Sequence, residues 1–297
     1  MCKCIIGVDA GGTKTNARLY GLDGRELYSA DAGPGNLLAD YDTAFANIHK
    51  TSAACLSRVS DEDRVFILVG AAGVTAGTNR RDLQHAMGGA FPSCLTEVEA
   101  DGCLAVWAKL RGKDGILVIS GTGSIAYGKL GKKLERAGGW GRYLGDEGSA
   151  YHIAINALRE ITLAHDENRP FSSCAQAILN ELCTDVFGLA GFAESHSKAE
   201  IAALSRLVAD AARDGDTQAA ALLRNAGRCL AALAVKVRDK MGFQGIVPVA
   251  VGGSVLEKNN FVRSAFEEAL GTENFSFVSD SPPAAMGAYY YYLENGQ

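Results

Sequence analysis

At 297 residues, 47% of them apolar and 21% charged, the chain is long enough for a large core and two domains. A net charge of -5 with no basic block excludes nucleic-acid binding driven by phosphate neutralisation. No apolar run reaches the roughly 18 residues that span a bilayer, and the N-terminus lacks a signal-peptide pattern, so a cytoplasmic protein without membrane attachment is expected. Eight cysteines without a C-x-x-C pair fit small core residues in a reducing compartment. Cys2 and Cys4 form a C-x-C with no further ligand nearby, so no metal site is expected there.

The apolar run Cys4–Val8 reads as a buried strand, and the alternation from Asn16 to Tyr20 as its hairpin partner. Between them lies Asp9-Ala-Gly-Gly-Thr-Lys-Thr15. Gly11 and Gly12 lack a Cβ, so backbone N–H groups can approach an anion, and Thr13 and Thr15 add hydroxyl donors. Asp9 could face that anion only across a cation, which suits a metal–nucleotide complex such as Mg-ATP. A plain tight turn is the alternative. A third strand is expected at Arg25–Ala32, then a helix at Asp42–Val59, a strand at Val65–Val69, a helix at Arg80–Met87 and a strand at Leu95–Glu99.

The scheme repeats. Gly115–Ser120 is an apolar strand ending in Gly121-Thr-Gly-Ser124, with further strands at Ile125–Lys129 and Leu134–Ala137. Two glycine-and-hydroxyl hairpins in equivalent places favour phosphate binding over coincidence. A mostly helical stretch runs from Ser149 to about Lys240, including helices at Ile201–Arg213 and Thr217–Lys240. A buried strand follows at Ile246–Val251, and Gly252-Gly253-Ser254 opens a helix with free N–H groups. Phe275–Val278 is a late strand, and a C-terminal helix begins near Pro283.

Asp101 follows the strand at Leu95–Glu99 and begins a helix to about Lys109. A carboxylate there can take the proton of an attacking hydroxyl in phosphoryl transfer, or merely cap the helix. The segment from Ala137 to Ala150 places five glycines around Trp140, with Asp146 and Glu147 at a helix mouth. That combination suits a carbohydrate, since an indole offers an apolar face and a carboxylate can accept from two hydroxyls. A glycine-rich surface loop with a capped helix is the alternative.

Asp9-Ala-Gly-Gly-Thr-Lys-Thr15, Ser120-Gly-Thr-Gly-Ser124, Gly138-Gly-Trp-Gly141 with Leu144-Gly-Asp-Glu-Gly-Ser-Ala-Tyr151, and Val251-Gly-Gly-Ser254 together resemble N-acetylglucosamine kinases of the BadF/BadG/BcrA/BcrD ATPase group. The resemblance implies an α/β, two-lobed actin-like ATPase (ribonuclease H-like) fold with a duplicated βββαβαβα core and a cleft between lobes. A small lobe is expected at 1–114 and a large lobe at 115–297, with a helical insertion at about 149–240 and a last helix that can return toward the small lobe. Transfer of the ATP γ-phosphate to the 6-hydroxyl of N-acetylglucosamine, with Mg2+, is the implied reaction.

By matching position, Asp101 is the implied catalytic base and a substrate contact. Asp9, Gly11, Gly12, Thr13, Lys14, Thr15, Gly121, Thr122, Gly123, Ala212, Gly252, Gly253 and Glu257 are implied around the nucleotide, with Asp9 toward Mg2+ through water. Asn36, Ser124, Ile125, Gly139, Trp140, Gly141 and Asp146 complete the implied sugar pocket. Some relatives carry glutamate at the Asp9 position, a change that keeps the charge. Iron–sulfur ATPase activators of the same group need cysteine ligands that this chain lacks. A kinase for glucosamine or N-acetylmuramic acid is the rival activity; a sugar sensor or an ATPase activator of a partner enzyme is the rival class. Family members are often homodimers, and the tyrosine-rich C-terminal helix could serve such an interface.

Overall fold

The computed structural model describes residues 3–60, 63–279 and 282–296, so Cys2 lies outside the described residues. It divides into two compact units, Met1–Asp114 with Ser279–Gln297, and Gly115–Val278. Among the described residues no helix is long and apolar enough to cross a membrane.

In the first unit β1 (Cys4–Ala10), β2 (Thr15–Gly21) and β3 (Glu26–Ala32) form an antiparallel meander, followed by α1 (Tyr41–Leu56), β4 (Val65–Ala71), α2 (Asn79–Ala90), β5 (Leu95–Ala100) and α3 (Asp101–Lys109). The sheet order is β3-β2-β1-β4-β5, with β1, β4 and β5 parallel. β4 is buried along its whole length, as its unbroken apolar run requires of a strand covered on both faces. Ile6, Val8 and Ala10 point toward α1 and α2, whose Ile48, Cys55, Leu83 and Met87 complete that core. Asp40 caps α1 by accepting from Thr43 N.

The second unit repeats the plan. β6 (Gly115–Ser120), β7 (Ser124–Leu130) and β8 (Lys133–Gly138) form its meander. The helical stretch comprises α4 (Ala150–Asp166), α5 (Ser173–Glu181), α6 (Gly188–Ser195), α7 (Lys198–Ala203), α8 (Ser205–Arg213) and α9 (Thr217–Met241). β9 (Val247–Gly252), α10 (Ser254–Lys258), α11 (Asn260–Leu270) and β10 (Phe275–Phe277) finish it. Its sheet order, β10-β9-β6-β7-β8, is the first order over again, with β6, β9 and β10 parallel. This is the duplicated core of the actin-like ATPase fold.

One reading changes. The helix expected at Ile201–Arg213 is two, because the bonds around Leu204 tighten to i→i+3 and part α7 from α8. The segment after Val278 groups with the first unit as a 3-10 turn (Ala284–Met286) and α12 (Gly287–Asn295), the side toward which the last helix was expected to be able to return. Ala288 and Tyr292 bury against Ile5, Phe66, Leu68 and Leu104 on the sheet face opposite α1. Glycine permits this closeness: a Cβ on Gly7 would stand 1.9 Å from Ala285 O, and one on Gly287 2.0 Å from Leu104 O.

Candidate active site

Side chains along β1 alternate, so Asp9 shares the face of Ile5 and Gly7 that α3 and α12 cover. β1, β4 and β5 are parallel, which puts Asp9 and Asp101 at the same carboxyl edge, where open α/β sheets place their ligands. Asp101 is the first residue of α3, with Ala100 in the cap position, and its Oδ1 accepts from Gly102 N at 2.8 Å. Burial pushes its carboxyl above the usual range, opposed by that hydrogen bond. Burial and then the charge of Asp101 push Asp9 up to about 6, with Lys14 pulling the other way. The first unit therefore holds two half-buried carboxylates whose burial disfavours their negative charge, with Lys14 the cation that acts on Asp9 among the described residues.

The hairpin joining β1 and β2 closes through Gly11 N donating to Lys14 O at 2.9 Å, and Gly35 N donates to Gly11 O at 2.8 Å. Gly12, Thr13 and Lys14 are exposed, and the Gly12 and Thr13 N–H groups have no partner among the described residues. Thr15 is the first residue of β2. Its hydroxyl is fully buried and unpartnered, facing the spot where a Cβ on Gly35 would lie 2.6 Å away. Asn36, next to Gly35, is half-buried and accepts from Leu38 N at 3.0 Å, which fixes its carboxamide as an Asx turn.

In the second unit two motifs that are separate in sequence form one structure. Ser120 Oγ donates to Gly148 O (2.9 Å), Ser124 Oγ to Glu147 O (2.7 Å) and Ala150 N to Gly121 O (2.9 Å). Ser124 N donates to Asp146 Oδ1 at 3.2 Å. Ser149 caps α4 through His152 N. Gly121 N donates to Gly123 O, so the Gly121 N–H is taken and Thr122 carries the exposed hydroxyl of this hairpin. Gly253 has φ 84 and packs on the backbone of Ser120, where a Cβ would stand 2.3 Å from its O. Gly252 and Gly253 therefore sit against the root of the hairpin, while α10 has only five residues and adds little dipole. Glu257 is exposed on α10, and Ala212 is 5% exposed near the end of α8.

Trp140 is 62% exposed, with Arg136 over its ring at 4.5 Å, so one face of the indole is already stacked. Gly139, φ 71, lies against Ile125, whose Cδ1 would be 2.5 Å from a Cβ there; Gly141 has φ 84 and open space beside it. The sequence reading missed Lys198 of α7, whose Nζ lies 2.5 Å from Asp146 Oδ2. Nothing in the local pattern pointed to it beyond the capping box of Ser197 and Glu200, which marks where α7 starts.

The sequence matches the description BadF/BadG/BcrA/BcrD ATPase family over residues 6–288. Among curated relatives it is similar to an N-acetylmuramic acid/N-acetylglucosamine kinase of Clostridium acetobutylicum, 27% identical over 297 residues covering 96% of this chain and 97% of the relative. It is also similar to an N-acetyl-D-glucosamine kinase of Dictyostelium discoideum, 27% identical over 304 residues covering 95% of each. A solved structure from Chromobacterium violaceum, provisionally named an N-acetylglucosamine kinase, superposes with a TM-score of 0.76 at 26% identity, covering 97% of this chain and 98% of that one. A match over nearly the whole length, on a duplicated sheet whose carboxyl edge carries the glycine hairpins, identifies this chain as a member of the BadF/BadG/BcrA/BcrD ATPase family.

Proposed function

We propose that the chain is an ATP-dependent kinase that phosphorylates the 6-hydroxyl of N-acetylglucosamine. The observation that carries this reading is Asp101. It stands at the carboxyl edge of the first sheet, is made more basic by burial, and keeps lone pairs beyond the one given to Gly102 N. A carboxylate so placed can take the proton of the attacking hydroxyl as the new O–P bond forms. Gly12 and Thr13 offer unpartnered N–H groups to phosphate oxygens, and Thr13 and Thr122 offer hydroxyls. The stitched loop from Asp146 to Ala150 holds Ser124 and Asp146 in fixed positions, as binding a polyhydroxylated substrate requires.

The residues present fit a magnesium–nucleotide complex. Asp9 is an all-oxygen donor whose charge is disfavoured as it stands, the environment in which a hard divalent cation is held through one carboxylate and its waters. When bound, the ion supplies positive charge to the phosphate oxygens.

Initial rates of ATP consumption with N-acetylglucosamine, glucosamine and N-acetylmuramic acid test the assignment. The reading expects the highest kcat/KM for N-acetylglucosamine. Preference for either rival sugar would move the assignment to that substrate, and ATP hydrolysis indifferent to all three would replace it with the partner-activator reading.

A further inference from the structure

The Asp146 side chain is 4% exposed and that of Lys198 30%, and the two are joined at 2.5 Å through Oδ2 while Oδ1 accepts from Ser124 N. Asp146 also adopts φ 65, a left-handed conformation tolerated by aspartate but held here by its surroundings. A carboxylate this buried is costly without a partner for its charge. We infer that Lys198 is a positioning residue for Asp146: its ammonium group sits on Oδ2, which is closed to solvent, and so fixes the direction in which Oδ1 is offered to a sugar hydroxyl. This inference rests on reading Asp146 as a sugar ligand.

Two further features belong to the same device. Gly123 has φ outside the left-handed region, so conformational freedom does not explain it; space does. A Cβ there would lie 2.7 Å from Lys198 Nζ and 2.8 Å from Asp146 Oδ1, so the ion pair fills the place of a side chain beneath the hairpin. The root of Lys198 is also fixed. It is the first residue of α7, whose start is set by the Ser197–Glu200 capping box and whose Ile201 and Ala202 are buried in the second unit's core. The helical insertion thereby reaches the loop through the Lys198 ammonium group, beside the bond that Arg142 Nη1 donates to His196 O.

Lys198→Met and Lys198→Arg in the full-length protein test this by titration calorimetry with N-acetylglucosamine and by steady-state kinetics. Lys198→Met should raise the sugar Kd and KM by about tenfold or more while moving the ATP KM less than about twofold, because a buried charge loses its partner. Lys198→Arg should recover most of the loss. In an Asp146→Asn background, Lys198→Met should add less than about twofold, since the pair is already broken. An unchanged sugar Kd, a shift confined to the ATP KM, or additive effects in the double variant would overturn the inference. Should Lys198→Met lose its fold by circular dichroism, Lys198→Arg and the uncharged Asp146→Asn/Lys198→Met pair carry the same comparison. Wild-type protein that binds no amino sugar would overturn the proposed function together with this inference; wild-type binding matched by the methionine variant would overturn the inference alone.

Discussion

The first glycine hairpin ends in an exposed tip whose Gly12 meets nothing a Cβ would touch, and behind it Asp9 sits with its carboxyl pushed up to about 6. The second has Ser120 and Ser124 buried at its two strand ends, tied to the loop at Glu147 and Gly148, with Gly253 against its root and the Asp146–Lys198 pair beneath it. Both use glycine and hydroxyl residues at the same point of the same topology. The difference lies in charge and support. The first hairpin leaves negative charge unbalanced and its tip unsupported, which suits a group that arrives with a cation. The second is already braced and its buried carboxylate already paired, which holds the hairpin's root and the loop beside it still.

The largest change to that contrast should come from Gly253→Ala. The new Cβ would strike Ser120 O on a backbone at φ 84, and strain plus overpacking should cost about 4 kcal/mol. Thermal unfolding should show a Tm several degrees lower, and a wild-type Tm would show that the hairpin root is not braced there.

Asp9→Asn should act in the opposite direction on stability. A carboxylate raised from 3.8 to about 6 binds more protons when folded than when unfolded, so its penalty is absent below about 3.8 and grows as pH rises to about 6. Above that it amounts to about 3 kcal/mol. The asparagine variant, free of nucleotide and metal, should therefore be more stable than wild type at pH 7.5 and gain little at pH 4. Urea melts at the two pH values measure this; an equal gain at both would contradict an ionised, uncompensated Asp9. The smallest effect separates the hairpins most cleanly. Ser124→Ala should lose about 1 kcal/mol with its bond to Glu147 O, whereas Gly12→Ala in open space should change stability by less than about 0.5 kcal/mol. Equal losses in paired chemical melts would erase the distinction.

What the sequence made legible was local. Alternation and apolar runs located the strands around each hairpin, since a residue's face follows from a period of two. The burial of Thr15 was not legible, because its glycine neighbours suggested an open loop although it is already the first residue of β2. Ala212 was carried by resemblance alone, and it is largely buried in a helical core. Lys198 was invisible because its partner, Asp146, belongs to another element far along the chain and only the folded insertion brings them together. The return of α12 depends likewise on long-range fit, with Gly7 and Gly287 admitting backbone where a side chain would collide.

If Asp101 deprotonates a sugar hydroxyl while ATP gives up its terminal phosphoryl group, sugar phosphate and ADP must appear together and both must depend on its carboxylate. The most direct measurement follows sugar phosphate and ADP together, by mass spectrometry, for wild type and Asp101→Asn incubated with Mg-ATP and N-acetylglucosamine. Wild type should form the two products one for one, and Asp101→Asn should form both about 100 to 10,000 times more slowly while still binding the sugar. ADP released without sugar phosphate, or an asparagine variant as fast as wild type, would contradict the account.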